Sequence, residues 1–180
     1  ASRIYLWGGS AGGHLASLAA VTCGVAEYAP QPSTGRLERR EIAALENDKP
    51  PPADDCVQGA ALWYGVFDLE NTPAVNVAGL LGCDPALCRD AARRASPLHR
   101  VGAAPPPMLL IHGLGDETVD ASQSEAMAAA LRAAGGTAEL LLIPDADHGL
   151  IGPDADATRA ANLLALRRTF AFFASLAAGR

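Results

Sequence analysis

Positive charge is in short supply in this chain: fourteen lysines and arginines face twenty aspartates and glutamates, a formal net charge of −6. Nucleic acid is held by clustered positive fields, so it is not an expected partner. The two densest basic stretches, "RLERRE" and "RDAARR", are interrupted by acids and read as solvated surface. Long apolar runs are lacking too. None reaches the roughly 18 uncharged residues a membrane helix needs, so no membrane span is expected. There is no Cys-x-x-Cys and no Cys/His cluster, hence no ligand spacing for zinc. Neither a metal nor a cofactor is expected. Aromatic residues make up only 5% of the chain, and much of its apolar content is alanine, so the core has to be assembled from small side chains.

Four cysteines are present. Cys83 and Cys88 flank "DPAL", a segment short enough to bring their Cα atoms within the roughly 4.4–6.8 Å that a disulfide spans. A second bridge, Cys23–Cys56, would use all four and imply an oxidising setting, secreted or periplasmic. Four buried thiols in a cytoplasmic protein are the alternative.

With 180 residues the chain is read as one domain, 1–180. Short apolar runs end at glycine or proline: "RIYLW" (3–7), "CVQGAALWY" (56–64), "MLLIHG" (108–113) and "AELLLIP" (138–144). Helical stretches are expected near 12–22, 74–81, 85–95, 122–134 and 158–177. In the last of these, Leu163, Leu166, Phe170, Phe173 and Ala177 recur every three or four residues and predict one apolar stripe. Residues 24–55, rich in proline and charge, form a surface excursion or lid with one short helix at 37–46. Continuously apolar strands alternating with helices indicate an α/β fold with a parallel sheet of about four strands, covered on both faces. Ligands of such sheets bind at the carboxyl ends of the strands. The chemistry is therefore sought just after residues 7, 64, 112 and 144.

After the first strand stands Gly8-Gly9-Ser10-Ala11-Gly12, a G-x-S-x-G pattern between a strand and a helix. A serine on a sharp strained bend projects its hydroxyl from the sheet edge. Strand and helix then nearly touch, and Gly8 and Gly12 are expected to leave that space open. The spacing does not fit the G-x-G-x-x-G of a dinucleotide site. A serine hydroxyl needs a base, itself oriented by a carboxylate. Of four histidines, His14 lies one helical turn past Ser10 and is read as packing beside the bend. His99 sits in a proline-flanked loop with no acid close in sequence. His112 ends the third strand and is read as bracing the loop after it. His148, in a glycine-containing loop after the fourth strand, is the base candidate. Asp116, at the end of the third strand, is the acid candidate, with Asp120 as the alternative. Asp145 and Asp147 share the loop of His148 and are judged poorly placed to orient its ring. Trp63, Tyr64, Phe67 and Leu114 fall at strand ends and line either a substrate pocket or the core; Asp68 is given no catalytic role.

The motif "GGSAGGHLASLAA" resembles the nucleophile region of the α/β-hydrolase esterase/lipase superfamily. The likeness is nearest to carboxylesterases that include feruloyl-esterase-like and hormone-sensitive-lipase-like enzymes. It continues through "VQGAALWYGVFDL", "LLGCDP", "ASPLHRV", "PMLLIHGLGDETVD", "QSEAMAAALRAAG" and "LLIPDADHGL". The resemblance implies an α/β-hydrolase fold and cofactor-independent hydrolysis of small-molecule carboxylic esters. It implies Ser10 as nucleophile, Asp116 as acid, His148 as base and the Ala11 backbone N–H as an oxyanion donor.

One feature of the superfamily is not found. No HGGG-type run, the source of a second oxyanion donor, precedes Ser10. "RIYLW" matches a strand that in the full fold lies inside the sheet. The chain is accordingly expected to be the C-terminal portion of a larger hydrolase, with an N-terminal piece or a second copy covering the edge of strand 3–7. A serine peptidase of the prolyl-oligopeptidase type, or an inactive subunit that needs an N-terminal partner, are the other readings.

Overall fold

Each apolar run contributes a strand. The computed structural model describes residues 3–28, 56–72 and 76–179. Strands β1 (Tyr5–Gly9), β2 (Gly59–Trp63), β3 (Met108–Gly113) and β4 (Ala138–Ile143) lie side by side in that order. All three pairings are parallel. The register places Gly8 opposite Leu62 and Gly9 opposite Trp63, so the first strand lies at 5–9 and not at the expected 3–7. Two glycines do not break it, because the ladder carries on to the Ser10 N–H, which donates to the Trp63 carbonyl at 2.9 Å.

The described helices are α1 (Ala11–Val21), α2 (Val77–Leu81), α3 (Arg89–Ala95), α4 (Ser122–Ala133) and α5 (Ala155–Ala178). Two 3₁₀ turns, Ala26–Tyr28 and Pro97–Arg100, supplement them. Alternate side chains of β2 and β3 point to opposite faces. Ala60, Leu62, Met108 and Leu110 meet Ala20 of α1 and Met127, Ala128 and Leu131 of α4. Ala61, Trp63, Leu109 and Ile111 meet Ala161, Ala165 and Phe172 of α5. Both central strands are buried along their whole length, whereas β1, at the edge of the described sheet, is only partly covered. There Ile4 and Trp7 remain 39% and 45% exposed. The cysteines pair as expected, Cys83 with Cys88 across its short segment and Cys23 with Cys56 from the two that remain, at Cα separations of 6.4 and 5.1 Å. The helix expected at 37–46, and most of the 24–55 excursion, lie outside the described residues.

Helix α5 departs from expectation. Its buried positions are Ala161, Ala165, Thr169 and Phe172, while Leu163 and Phe170 of the expected stripe are exposed. Leu166 and Phe173 flank the contact. Small residues at the centre let α5 approach the sheet, and the Trp63 indole N–H donates to Thr169 Oγ1 at 3.0 Å inside that contact. Phe170 instead meets Trp7 edge to face, with ring centroids 6.1 Å apart. Hydrophobicity at a helical period thus marked the flank of the interface, one residue away from its centre. Replacing Thr169 with valine leaves the indole N–H unpaired and should lower stability by about 1–3 kcal/mol. Leu163→Ala should stay within about 0.5 kcal/mol of the native protein. Urea midpoints of the two variants check both.

Candidate active site

The bend after β1 is strained in the way its glycines suggest. Ser10 sits at φ 52° and ψ −122° as the N-cap of α1, a region that residues with a Cβ seldom enter. A Cβ on Gly8 would run into the backbone carbonyl of Gly12, so strand and helix meet backbone to backbone. The expectation for Gly12 needs correcting. A Cβ there would meet nothing within 4 Å, whereas one on Gly13 would lie 3.0 Å from the Gly65 Cα. The close approaches therefore require glycine at 8 and 13, and Gly12 takes part through its carbonyl alone.

Loops after β3 and β4 bring two more side chains to this bend. His148 Nε2 lies 3.0 Å from Ser10 Oγ, and His148 Nδ1 lies 2.8 Å from Asp116 Oδ2. The Asp116 side chain is fully buried and that of His148 is 25% exposed. Asp116 Oδ1 accepts from the backbone N–H groups of Thr118 and Val119 at 2.9 and 2.8 Å, which folds the loop around its own carboxylate. On the other side, Asp147 Oδ1 accepts from the His148 N–H at 2.6 Å and from the Glu117 N–H at 3.3 Å. Asp147 does not touch the ring, as expected, yet it ties the two loops together. The sign of that role in the sequence is an aspartate directly before the histidine, which favours local side-chain-to-backbone bonds.

Tyr64 follows β2 at φ 35°. Its ring lies edge-on to the His148 ring at 4.9 Å, and its hydroxyl reaches the space where a side chain on Gly9 would begin. Burial, assisted by the Asp116 charge, pushes the phenol above its ordinary value of 10.0. The other strand-end residues divide. Trp63 and Phe67 are core, and Leu114 is 54% exposed.

Asp120 stays away from His148. Its carboxylate caps the start of α4 through the Ser122 N–H at 2.8 Å, and bonding to Ser122 holds it below the ordinary carboxylate value. His14 is buried, with Nε2 2.7 Å from the Ala95 carbonyl, and so packs beside the bend. His112 braces the loop after β3: Nε2 contacts the Val119 carbonyl at 2.8 Å and Nδ1 contacts Ser124 Oγ at 2.7 Å. His99, without an acid near it in sequence, has two in space, Asp68 Oδ1 at 3.4 Å and Glu70 Oε2 at 3.2 Å. These three could hold a cation, since their ligand atoms lie within 4.8 Å of one another. Arg93 already neutralises Glu70 Oε2 at 3.2 Å, so the cluster is read as an ion-pair network.

An open parallel sheet, with a serine on a strained strand-to-helix bend and its partners on loops after later strands, is the α/β-hydrolase fold. The chain belongs to the BD-FAE family, whose profile matches residues 1–131. It is 34% identical over 153 residues to Esterase LipQ of Mycobacterium tuberculosis, a match covering 81% of this chain and 32% of that protein. Among solved structures, a truncated carbohydrate esterase from gut microbiota superposes with a TM-score of 0.66 at 24% identity, over 94% of this chain and 60% of that one. Apo esterase 2 of Thermogutta terrifontis gives 0.66 at 24% identity, over 96% of this chain and 55% of that one. The same esterase has been solved phosphorylated by paraoxon. The chain thus spans about a third of LipQ and somewhat over half of these solved esterases.

Replacing Gly8 with alanine should cost about 1–3 kcal/mol through overpacking of the bend. Gly12→Ala, on the open side of α1, should be neutral or stabilising by up to about 1 kcal/mol. Chemical denaturation of the pair tests which glycine the bend requires.

Proposed function

We propose that this chain carries the catalytic residues of a serine carboxylesterase. The observation behind the reading is the unbroken line from Ser10 Oγ through both nitrogens of His148 to the buried Asp116 carboxylate. In this reading His148 takes the Ser10 proton as the hydroxyl attacks the ester carbonyl, and Asp116 fixes the ring and stabilises the imidazolium. Collapse of the tetrahedral intermediate releases the alcohol, with its proton coming from His148. Water activated by the same ring then frees the acid from the acyl-enzyme. The first N–H groups of α1 have no acceptor within the helix, and the N–H of Ala11 is the one nearest the attacking oxygen in the chain. It is assigned to the oxyanion.

Further parts of the reading concern surroundings. The partly exposed β1 edge, with Ile4 and Trp7 on it, is assigned to additional residues of a longer protein or to a second copy. Such cover would also be the source of a second oxyanion donor. The Cys23–Cys56 and Cys83–Cys88 pairs favour a secreted or periplasmic setting. Among the described residues no helix is long and apolar enough to cross a membrane. Esters are preferred over peptides here because the named relatives are esterases.

A fluorophosphonate probe should label Ser10 in the native protein, and Ser10→Ala should abolish both labelling and, by at least about 10³-fold, turnover of p-nitrophenyl butyrate. Labelling at another residue, or turnover retained by the alanine variant, would overturn the assignment. Faster cleavage of a peptide p-nitroanilide than of the p-nitrophenyl ester would move the reading to a peptidase.

A further inference from the structure

The reading above uses one of the two imidazoles that reach Asp116. The other belongs to His112, whose Nε2 lies 3.2 Å from Asp116 Oδ2, the same oxygen that meets His148 Nδ1 at 2.8 Å. Neither the His112 nor the Asp116 side chain has any exposure to water. A buried carboxylate is normally paired with a cation or with several donors. Among the described residues no arginine or lysine is bonded to it: it accepts from two backbone N–H groups, meets His148 Nδ1 at 2.8 Å, and has the His112 ring 3.2 Å away.

Chemistry fixes one proton of the His112 ring. The Val119 carbonyl, 2.8 Å from Nε2, can only accept, so Nε2 carries a proton. Ser124 Oγ, 2.7 Å from Nδ1, has a hydroxyl proton to give, so a neutral ring satisfies both contacts with one proton of its own. The Nε2–H then donates to the Val119 carbonyl, with Asp116 Oδ2 3.2 Å from the same nitrogen.

We propose that His112 is a positioning residue of the active site: a neutral second imidazole that shares the Asp116 carboxylate, fixes its Oδ2, and takes part of the charge that His148 would otherwise meet alone. The idea rests on the esterase reading. Burial pushes the His112 ring below its ordinary value of 6.5, outweighing the Val119 carbonyl and the Asp116 carboxylate, which raise it. Burial thus favours the neutral form of the His112 ring beside the carboxylate. The charged groups that act on His112 are Asp116 and, from the same loop, Asp120, together with His148 from the loop after β4. Helix α4 presents the neutral Ser124. Around His148 stand Asp116, the Tyr64 ring, Ser10 and, at its backbone, Asp147.

The test has two arms. In the native protein, ¹⁵N NMR of the histidine rings should find His112 as the neutral Nε2–H tautomer throughout about pH 5.5–8. An Nδ1–H tautomer, or protonation in step with His148, overturns the proposal. In the second arm, His112→Leu removes the donor and His112→Gln retains an N–H near the Nε2 position. The leucine variant should move the acid limb of the kcat/KM profile upward by about 0.5–1 pH unit, a roughly three- to tenfold loss at pH 6, because Asp116 regains charge. Glutamine should hold the limb near its native place. An unmoved limb in folded His112→Leu, or equal displacement in both variants, also overturns it, and if the leucine variant does not fold the NMR arm decides. A native protein that fails to react with the fluorophosphonate counts against the esterase reading and leaves the tautomer result standing.

Discussion

The Asp116 carboxylate is sealed from water, and the loops around it are arranged by that fact. An ionised group in a low-dielectric interior is tolerated only when its lone pairs are filled. Oδ1 is filled by the N–H groups of Thr118 and Val119, which curl the loop after β3. Oδ2 faces two imidazoles, one delivered by the end of β3 and one by the loop after β4. Moving any of these partners exposes a charge to an apolar wall. The position of His148 over Ser10 is thus a by-product of satisfying a buried anion, and Asp147, bonded to the N–H groups of His148 and Glu117, secures the same two loops from outside.

Rigidity comes from the sheet and strain is concentrated at its rim. Strands β2 and β3 are fully buried, so their carboxyl ends are fixed points. Non-glycine residues with positive φ stand just past three of the four strands: Ser10 after β1, Tyr64 after β2 and Asp145 after β4. Such conformations persist only where the surroundings over-determine them. At Ser10 the surroundings are a strand ladder on one side and helix α1 on the other. The same close contact that forbids a Cβ at Gly8 is what turns the serine hydroxyl outward.

Much of this was readable without coordinates because it depends on local rules. Continuous apolar runs stopped by glycine gave the strands and their parallel arrangement. The crowding of glycines around Ser10 gave the bend, and the order of Ser10, Asp116 and His148 followed from where strands end. What escaped was decided by packing between distant segments. Periodicity in α5 could not say that alanine and threonine, rather than Leu163 and Phe170, face the sheet, since that depends on packing against distant strands, where Thr169 meets the Trp63 indole. Nothing local distinguishes Gly12 from Gly13, because the neighbour that matters to the latter is Gly65, fifty-two residues on. The acids near His99 were hidden for the same reason: they come from a different loop.

The Tyr64 hydroxyl occupies the room next to Gly9 that a side chain on that residue would enter. Positions 9 and 64 therefore compete for one volume. A side chain placed before the serine would push on the far end of the aromatic ring that stands edge-on to the histidine, so a change at position 9 is passed to the base through Tyr64.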